Sequence, residues 1–146
     1  MKNIFFFALA VILASAAGCA QKKVPIEVDS AFKIKFSNAT NISWDKENDH
    51  EYEAEFQICG AKYSANFSDA GKWLETEHVI TYNELPQAVK QNFIATHKDT
   101  KVKGVAKIET SIGSTNYEIE IKQLFGTKEL FYDINGKEFQ DGDSED

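Results

Sequence analysis

The sequence predicts an α+β fold, a tandem repeat of a helix plus an antiparallel β-meander. Two helices are expected to pack on one face of a roughly eight-stranded antiparallel sheet. Three observations predict it. Tyr52-Glu53-Ala54-Glu55-Phe56 returns downstream as Tyr117-Glu118-Ile119-Glu120-Ile121. Each copy carries a Gly-Lys pair 19 residues after its Tyr, Gly71-Lys72 and Gly136-Lys137, and an apolar-Pro step before its helix, Val24-Pro25 and Leu85-Pro86. Within each copy the hydrophobic spacing switches from helical to alternating, and self-similarity of this kind marks one supersecondary unit used more than once. The copies span 25–80 and 85–140 of a single domain, 25–140.

The first helix is read from Val28, Ala31, Phe32 and Phe36, spaced by three and four behind Pro25. Strands follow: Ile42 and Trp44, then Tyr52 to Ile58, then Tyr63 to Phe67, then Trp73 to Ile80. Trp44 shares the phase of Ile42 and reads as core. Turns fall at Glu47-Asn48-Asp49, Cys59-Gly60 and Asp69-Ala70-Gly71. The second helix has Leu85, Ala88, Val89, Phe93 and Thr96 behind Pro86, capped by Asn83 or by a Thr81/Glu84 capping box. Its meander has Val102, Ala106 and Ile108, then Tyr117, Ile119 and Ile121, then Leu130, Tyr132 and Ile134. Asn135-Gly136 is the strongest hairpin signal and predicts a type I′ turn, which needs positive φ twice. Strict alternation predicts one buried and one wet face.

Residues 1–18 read as a secretory leader: Lys2, an apolar run from Ile4 to Ala14, then small residues. Ala17-Gly18-Cys19 fits a bacterial lipoprotein signal with Cys19 as the lipid attachment site, followed by a linker, 19–24. Cleavage after Ala16 or Ala17, leaving Cys19 a thiol, is the rival reading. Either predicts export, to the periplasm or outer membrane; acylation adds a lipid anchor. The tail 141–146 is acidic and predicted disordered.

All 16 basic residues are Lys. Losing Lys2 with the leader leaves 15 lysines against 23 acids, a balance of −8. No guanidinium fork exists to grip phosphates or base edges, and the balance is acidic, which argues against nucleic acid. With Cys19 acylated, Cys59 is the one remaining thiol, and the fold must rest on its core. His50, His78 and His97 share no motif. Asp45-x-Glu47-x-Asp49 starts like a calcium loop but has His50 where glycine is needed and Phe56 at the bidentate acid position. No cofactor is called for, and no catalytic residue.

The order Pro25…Ala31-Phe32…Phe36, Ile42-x-Trp44, Tyr52-Glu53-Ala54-Glu55-Phe56 continues into Ser64-Ala65-x-Phe67 and Gly71-x-Trp73-x-Glu75-Thr76-Glu77. With Leu85-Pro86-x-Ala88-Val89, it resembles the PepSY-like family of exported bacterial proteins, a group likened to the beta-lactamase inhibitor proteins. The resemblance covers nearly the whole chain after the leader. It implies duplicated helix-plus-meander units, export, and a role in binding or inhibiting other proteins. The second copy departs from it in having no Trp to match Trp44.

The face of the sheet away from the helices is predicted to carry Glu51, Glu53, Glu55, Glu75, Glu77, Glu118 and Glu120, with Trp73 and Phe131 as aromatic anchors. Leu124-Phe125 adds an apolar pair at a hairpin tip. Anchors inside a charged rim are the makings of an interaction patch. The reading is a non-enzymatic envelope lipoprotein that binds a protein or peptide with a basic surface, with inhibition as one outcome. The alternative is a small-molecule or metal-ion module, with a cavity between helices and sheet lined by Phe32, Phe93, Tyr52 and Tyr117. An enzyme ranks third and requires a cleft that groups His78 or His97 with acids.

Overall fold

A computed structural model describes residues 24–140. The leader, Cys19 and the acidic tail lie outside the described residues. In chain order the elements are α1 (Ile26–Lys35), β1 (Thr40–Asn48), β2 (Glu51–Ile58), β3 (Ala61–Ser68) and β4 (Trp73–Val79). A 3-10 turn, Tyr82–Glu84, leads to α2 (Gln87–Thr96), then β5 (Val102–Thr110), β6 (Thr115–Lys122), β7 (Thr127–Asp133) and β8 (Glu138–Phe139). The eight strands form one open sheet in the order of the chain, every neighbouring pair antiparallel. No helix among the described residues is long and apolar enough to cross a membrane.

Both helices start directly behind a proline whose φ suits the first turn, Pro25 at −57° and Pro86 at −54°. Neither has a side-chain cap. The Thr81/Glu84 capping box forms, with the Thr81 N–H and hydroxyl both 2.7 Å from Glu84 Oε2. It closes the 3-10 turn, not α2. Pro86 holds Leu85 in an extended conformation (φ −58°, ψ 143°), so the coil breaks there and restarts at Gln87.

The core consists of two clusters. Val28 and Phe32 of α1 meet Trp44, Ala54, Phe56, Ala65 and Phe67. Phe32 stands edge-on to Trp44 and Phe56, with ring centroids 5.2 and 5.0 Å apart. Leu85, with Val89 and Phe93 of α2, meets Val105, Tyr117, Ile119, Ile121, Leu130 and Tyr132. Cross-strand pairs Ala54–Ala65, Ala65–Thr76, Thr76–Glu109, Val105–Ile119 and Ile119–Leu130 put the sheet residues of both clusters on one face.

Two glycines hold the loops tight to the helices. A Cβ on Gly71 would lie 2.6 Å from the Glu27 carbonyl oxygen, and one on Gly136 would lie 2.5 Å from that of Ala88. Both turns share one hydrogen-bond pattern: Gly71 N–H to Ser68 O and Ser68 N–H to Lys72 O; Gly136 N–H to Asp133 O and Asp133 N–H to Lys137 O. The type I′ turn predicted at Asn135-Gly136 is therefore not formed. Only Gly136 takes positive φ there, because the Asp133 carboxylate accepts the Asn135 and Lys137 N–H groups and fixes a different turn. The I′ signature, two successive positive φ values, appears instead at Cys59 (51°) and Gly60 (84°).

Candidate functional site

Opposite the core clusters, the sheet presents a second face built by register alone. Glu53, Asn66 and Glu75 stand side by side on β2, β3 and β4. The next row is Glu55, Ser64, Glu77, Ile108 and Asn116, across β2 to β6. A third runs Ala106, Glu118, Phe131, Phe139 across β5 to β8. Glu129 pairs with Glu120 at the far side.

The alternation predicts a wet face, and the structure corrects this. Glu77 and Glu120 are each 8% exposed, Glu118 2% and Asn66 4%. Burial pushes the Glu77 carboxyl up to about 8, helped by Glu75, Glu53 and Glu129. Glu53 is also raised, first by burial and then by Glu47, Glu55 and Asp45, against a hydrogen bond from Ser64. Carboxyls so confined stay charged only at a cost, which a bound cation would relieve.

Of the sequence-predicted residues, Glu51, Glu53, Glu55, Glu75, Glu77, Glu118, Glu120 and Phe131 share this face. Phe131 is buried, its ring 6.1 Å from that of Phe139. Trp73 does not join them. A register shift between Asn66 and Phe67 pairs Phe67 with Trp73, turning the indole to the opposite face. There it lies under the Lys35 ammonium, 3.5 Å from the ring centroid, and donates Nε1–H to Thr76 Oγ1 at 2.9 Å. Leu124 and Phe125, 90% and 89% exposed, project from the β6–β7 turn, apart from the acids. Glu129 escaped the sequence reading, although its alternation with Leu130 gives its side.

The residues expected to line one cavity between helices and sheet are not brought together. Phe32, with Tyr52 packed nearby, belongs to one cluster, and Phe93, with Tyr117, to the other; both phenylalanines are buried. A cleft of about 190 Å³ is lined by Tyr63, Thr76, His78, Lys107 and Glu109, on β3, β4 and β5. It does group His78 with an acid. His78, however, stacks on Tyr63 (4.4 Å between centroids), Glu109 pairs with Lys107 at 2.6 Å, and Thr76 Oγ1 accepts from Trp73. His50 pairs with Asp69, and His97 with Glu138. Among the described residues no group of three or more His, Cys, Asp or Glu is placed to hold a metal.

The model of the PepSY-like family, which carries the provisional description beta-lactamase-inhibitor-like, matches residues 50–139. No curated protein matches the sequence. Solved structures share the fold. A DUF2874 family protein from Bacteroides ovatus aligns over 81% of this chain and 86% of its own, with TM-score 0.71 and 23% identity. A protein from Bacteroides eggerthii with a provisional periplasmic assignment gives TM-score 0.73 and 20% identity over 81% of this chain and 87% of its own. A BLIP-like protein from Bacteroides fragilis gives 0.64 and 24% over 84% and 91%.

Proposed function

Since this chain belongs to the PepSY-like, beta-lactamase-inhibitor-like family, we propose that it is a non-catalytic binding module of the cell envelope, holding a protein or peptide on the acidic face of its sheet. The observation that carries this reading is the gathering of Glu53, Glu75 and Glu77 on one sheet face, where burial holds the carboxyls of Glu53 and Glu77 above their ordinary range, a cost that a cationic partner relieves. The BLIP-like neighbour supports inhibition as the outcome of binding. A partner of opposite charge associates faster and more tightly at low salt.

The leader reading, with Cys19 acylated, stands as part of the proposal, and Cys19→Ser should release the protein from the membrane fraction. The duplication stands with it. It is supported by the matched glycine seats at Gly71 and Gly136 and by helices of 10 residues that each begin behind a proline. We place the binding surface on Glu51, Glu53, Glu55, Glu75, Glu77, Glu118, Glu120 and Phe131, with Leu124-Phe125 as an outlying contact. Trp73 is withdrawn, since it braces α1.

The test is capture from an envelope extract at low and at high salt, beside a Glu53→Gln/Glu55→Gln/Glu75→Gln variant. A partner retained at low salt and lost both at high salt and in the variant is the expected result. An identical set of captured proteins in wild type and variant sinks the proposal. The cleft at Tyr63 and His78 favours a second reading, a small-molecule module. For that reading, a ligand must raise the melting temperature of wild type and not of His78→Ala.

A further inference from the structure

The β6–β7 turn sets two large apolar residues in succession where the other hairpin turns are built mainly of Gly, Asn, Asp and Ser. Those residue types suit turns because they tolerate its backbone angles or bond to its backbone groups. Here the Gln123 N–H donates to Gly126 O at 3.0 Å, and the two residues between them are Leu124 and Phe125. Among the described residues they are the most exposed large hydrophobics, at 90% and 89%. Neither fills a core position, and closing the turn requires neither side chain. A local rule broken with no gain in packing points to function.

The charge beside this tip runs against that of the chain. Segments 98–103 and 121–128 hold five lysines, Lys98, Lys101, Lys103, Lys122 and Lys128, against one acid, Asp99, in a chain of net charge −7. All five are exposed. The two segments are joined: Lys122 N–H donates to Lys101 O at 2.9 Å, and Val102 pairs with Ile121. Ile121 belongs to the α2 cluster and pairs with Lys128. Lys128 therefore lies on the helix side of the hairpin, and Lys122, one residue after Ile121, on the acidic side. Cations flank the apolar pair on both sides. The Glu120–Glu129 pair is set back from the tip by two rows, Ile121–Lys128 and Lys122–Thr127. The lysines seen in ion pairs, Lys33, Lys46 and Lys107, lie elsewhere.

We infer that the β6–β7 tip docks on an anionic bilayer, with Leu124 and Phe125 entering the acyl boundary and the lysine collar staying among the headgroups. A convex tip suits a fluid lipid surface, which needs no matching pocket. Lysine stems can lie along apolar surface while their ammonium groups remain at headgroup level. Anionic headgroups attract clustered lysines within a Debye length of the surface. The acidic remainder of the molecule is repelled, so approach is oriented tip-first. The tip's contact is thereby with lipid and not with the protein held on the acidic face. The inference stands apart from the reading of that face and from acylation of Cys19.

The experiment is vesicle flotation with the chain from Lys22 onward, which keeps every described element and has no Cys19 to carry lipid. Wild type should float at low salt with vesicles of phosphatidylcholine mixed with phosphatidylglycerol, and not with phosphatidylcholine alone. Leu124→Ser/Phe125→Ser should lower the partition coefficient roughly tenfold or more. Its melting temperature should stay that of wild type, since both side chains are exposed. Lys122→Gln/Lys128→Gln should weaken binding at low salt and flatten its salt dependence. Ile112→Ser, 69% exposed at a turn on the opposite end of the sheet, should bind as wild type. Phe125→Trp should show a blue shift in emission on vesicle addition, beyond any change from Trp44 and Trp73 in wild type. No flotation, equal flotation on neutral vesicles, or flotation undiminished by the serine pair or by the lysine pair overturns the inference. So does an equal loss in Ile112→Ser, or an unmoved emission in bound Phe125→Trp. Capture of an envelope protein through the tip with no vesicle binding assigns the tip to a protein and overturns it as well.

Discussion

At the scale of single residues, the glycines separate two kinds of constraint. Gly60 needs positive φ (84°) but faces open space, whereas Gly71 needs it (79°) and also touches the α1 backbone. Gly60→Ala should cost ~1–2 kcal/mol, the penalty of a left-handed L-residue. Gly71→Ala must add overpacking against a carbonyl that cannot swing aside, for a loss on the order of 3 kcal/mol or more. Urea melts of the pair check this, and equal losses would show that the helix seat is soft. Glu77 makes a second residue-scale prediction. Folded, it titrates near 8 against an ordinary value of 4.5. The proton it holds stabilises the fold fully below about 4.5, and that contribution is lost as pH rises through 8. Wild-type melting temperature should fall across that window more steeply than in Glu77→Gln, and parallel curves would refute the burial of this group.

At the scale of elements, neither helix is secured by a side-chain cap. Short helices in water depend on the face they bury. Phe32, fully buried among Trp44, Phe56 and Phe67, is the centre of that face for α1. Phe32→Ala should cost ~3–5 kcal/mol, and hydrogen exchange should report α1 opening first. Protection that drops uniformly along the chain would instead mean that the two clusters melt together. The strands were legible because alternation survives in nearly all of them, and both helices were legible from their proline and their three-four spacing. The face of Trp73 was not. A one-residue register shift beside Asn66 is invisible in the alternation of β4 alone, since it is set by pairing with β3. The α2 start was misread for a similar reason: the capping box was real, but the proline two residues beyond it decided where the helix begins.

At the scale of the whole molecule, the acidic balance was plain in the sequence, and its depth was not. Alternating Glu residues look like solvent-facing decoration until the register sets rows from β2 to β7 against one another. Asn66 illustrates the limit: one amide among many polar residues in the sequence, it shows its burial and its place between Glu53 and Glu75 only once the strands pair. The strand order has a consequence of its own. Among the described residues each strand after the first pairs with the one just before it in the chain, with no crossover. A polypeptide appearing from its N-terminus can zip each new strand onto a finished edge, without waiting for distant segments to arrive. The growing sheet then exposes only one unfinished edge at a time, which leaves a nascent chain little opportunity to pair with its neighbours.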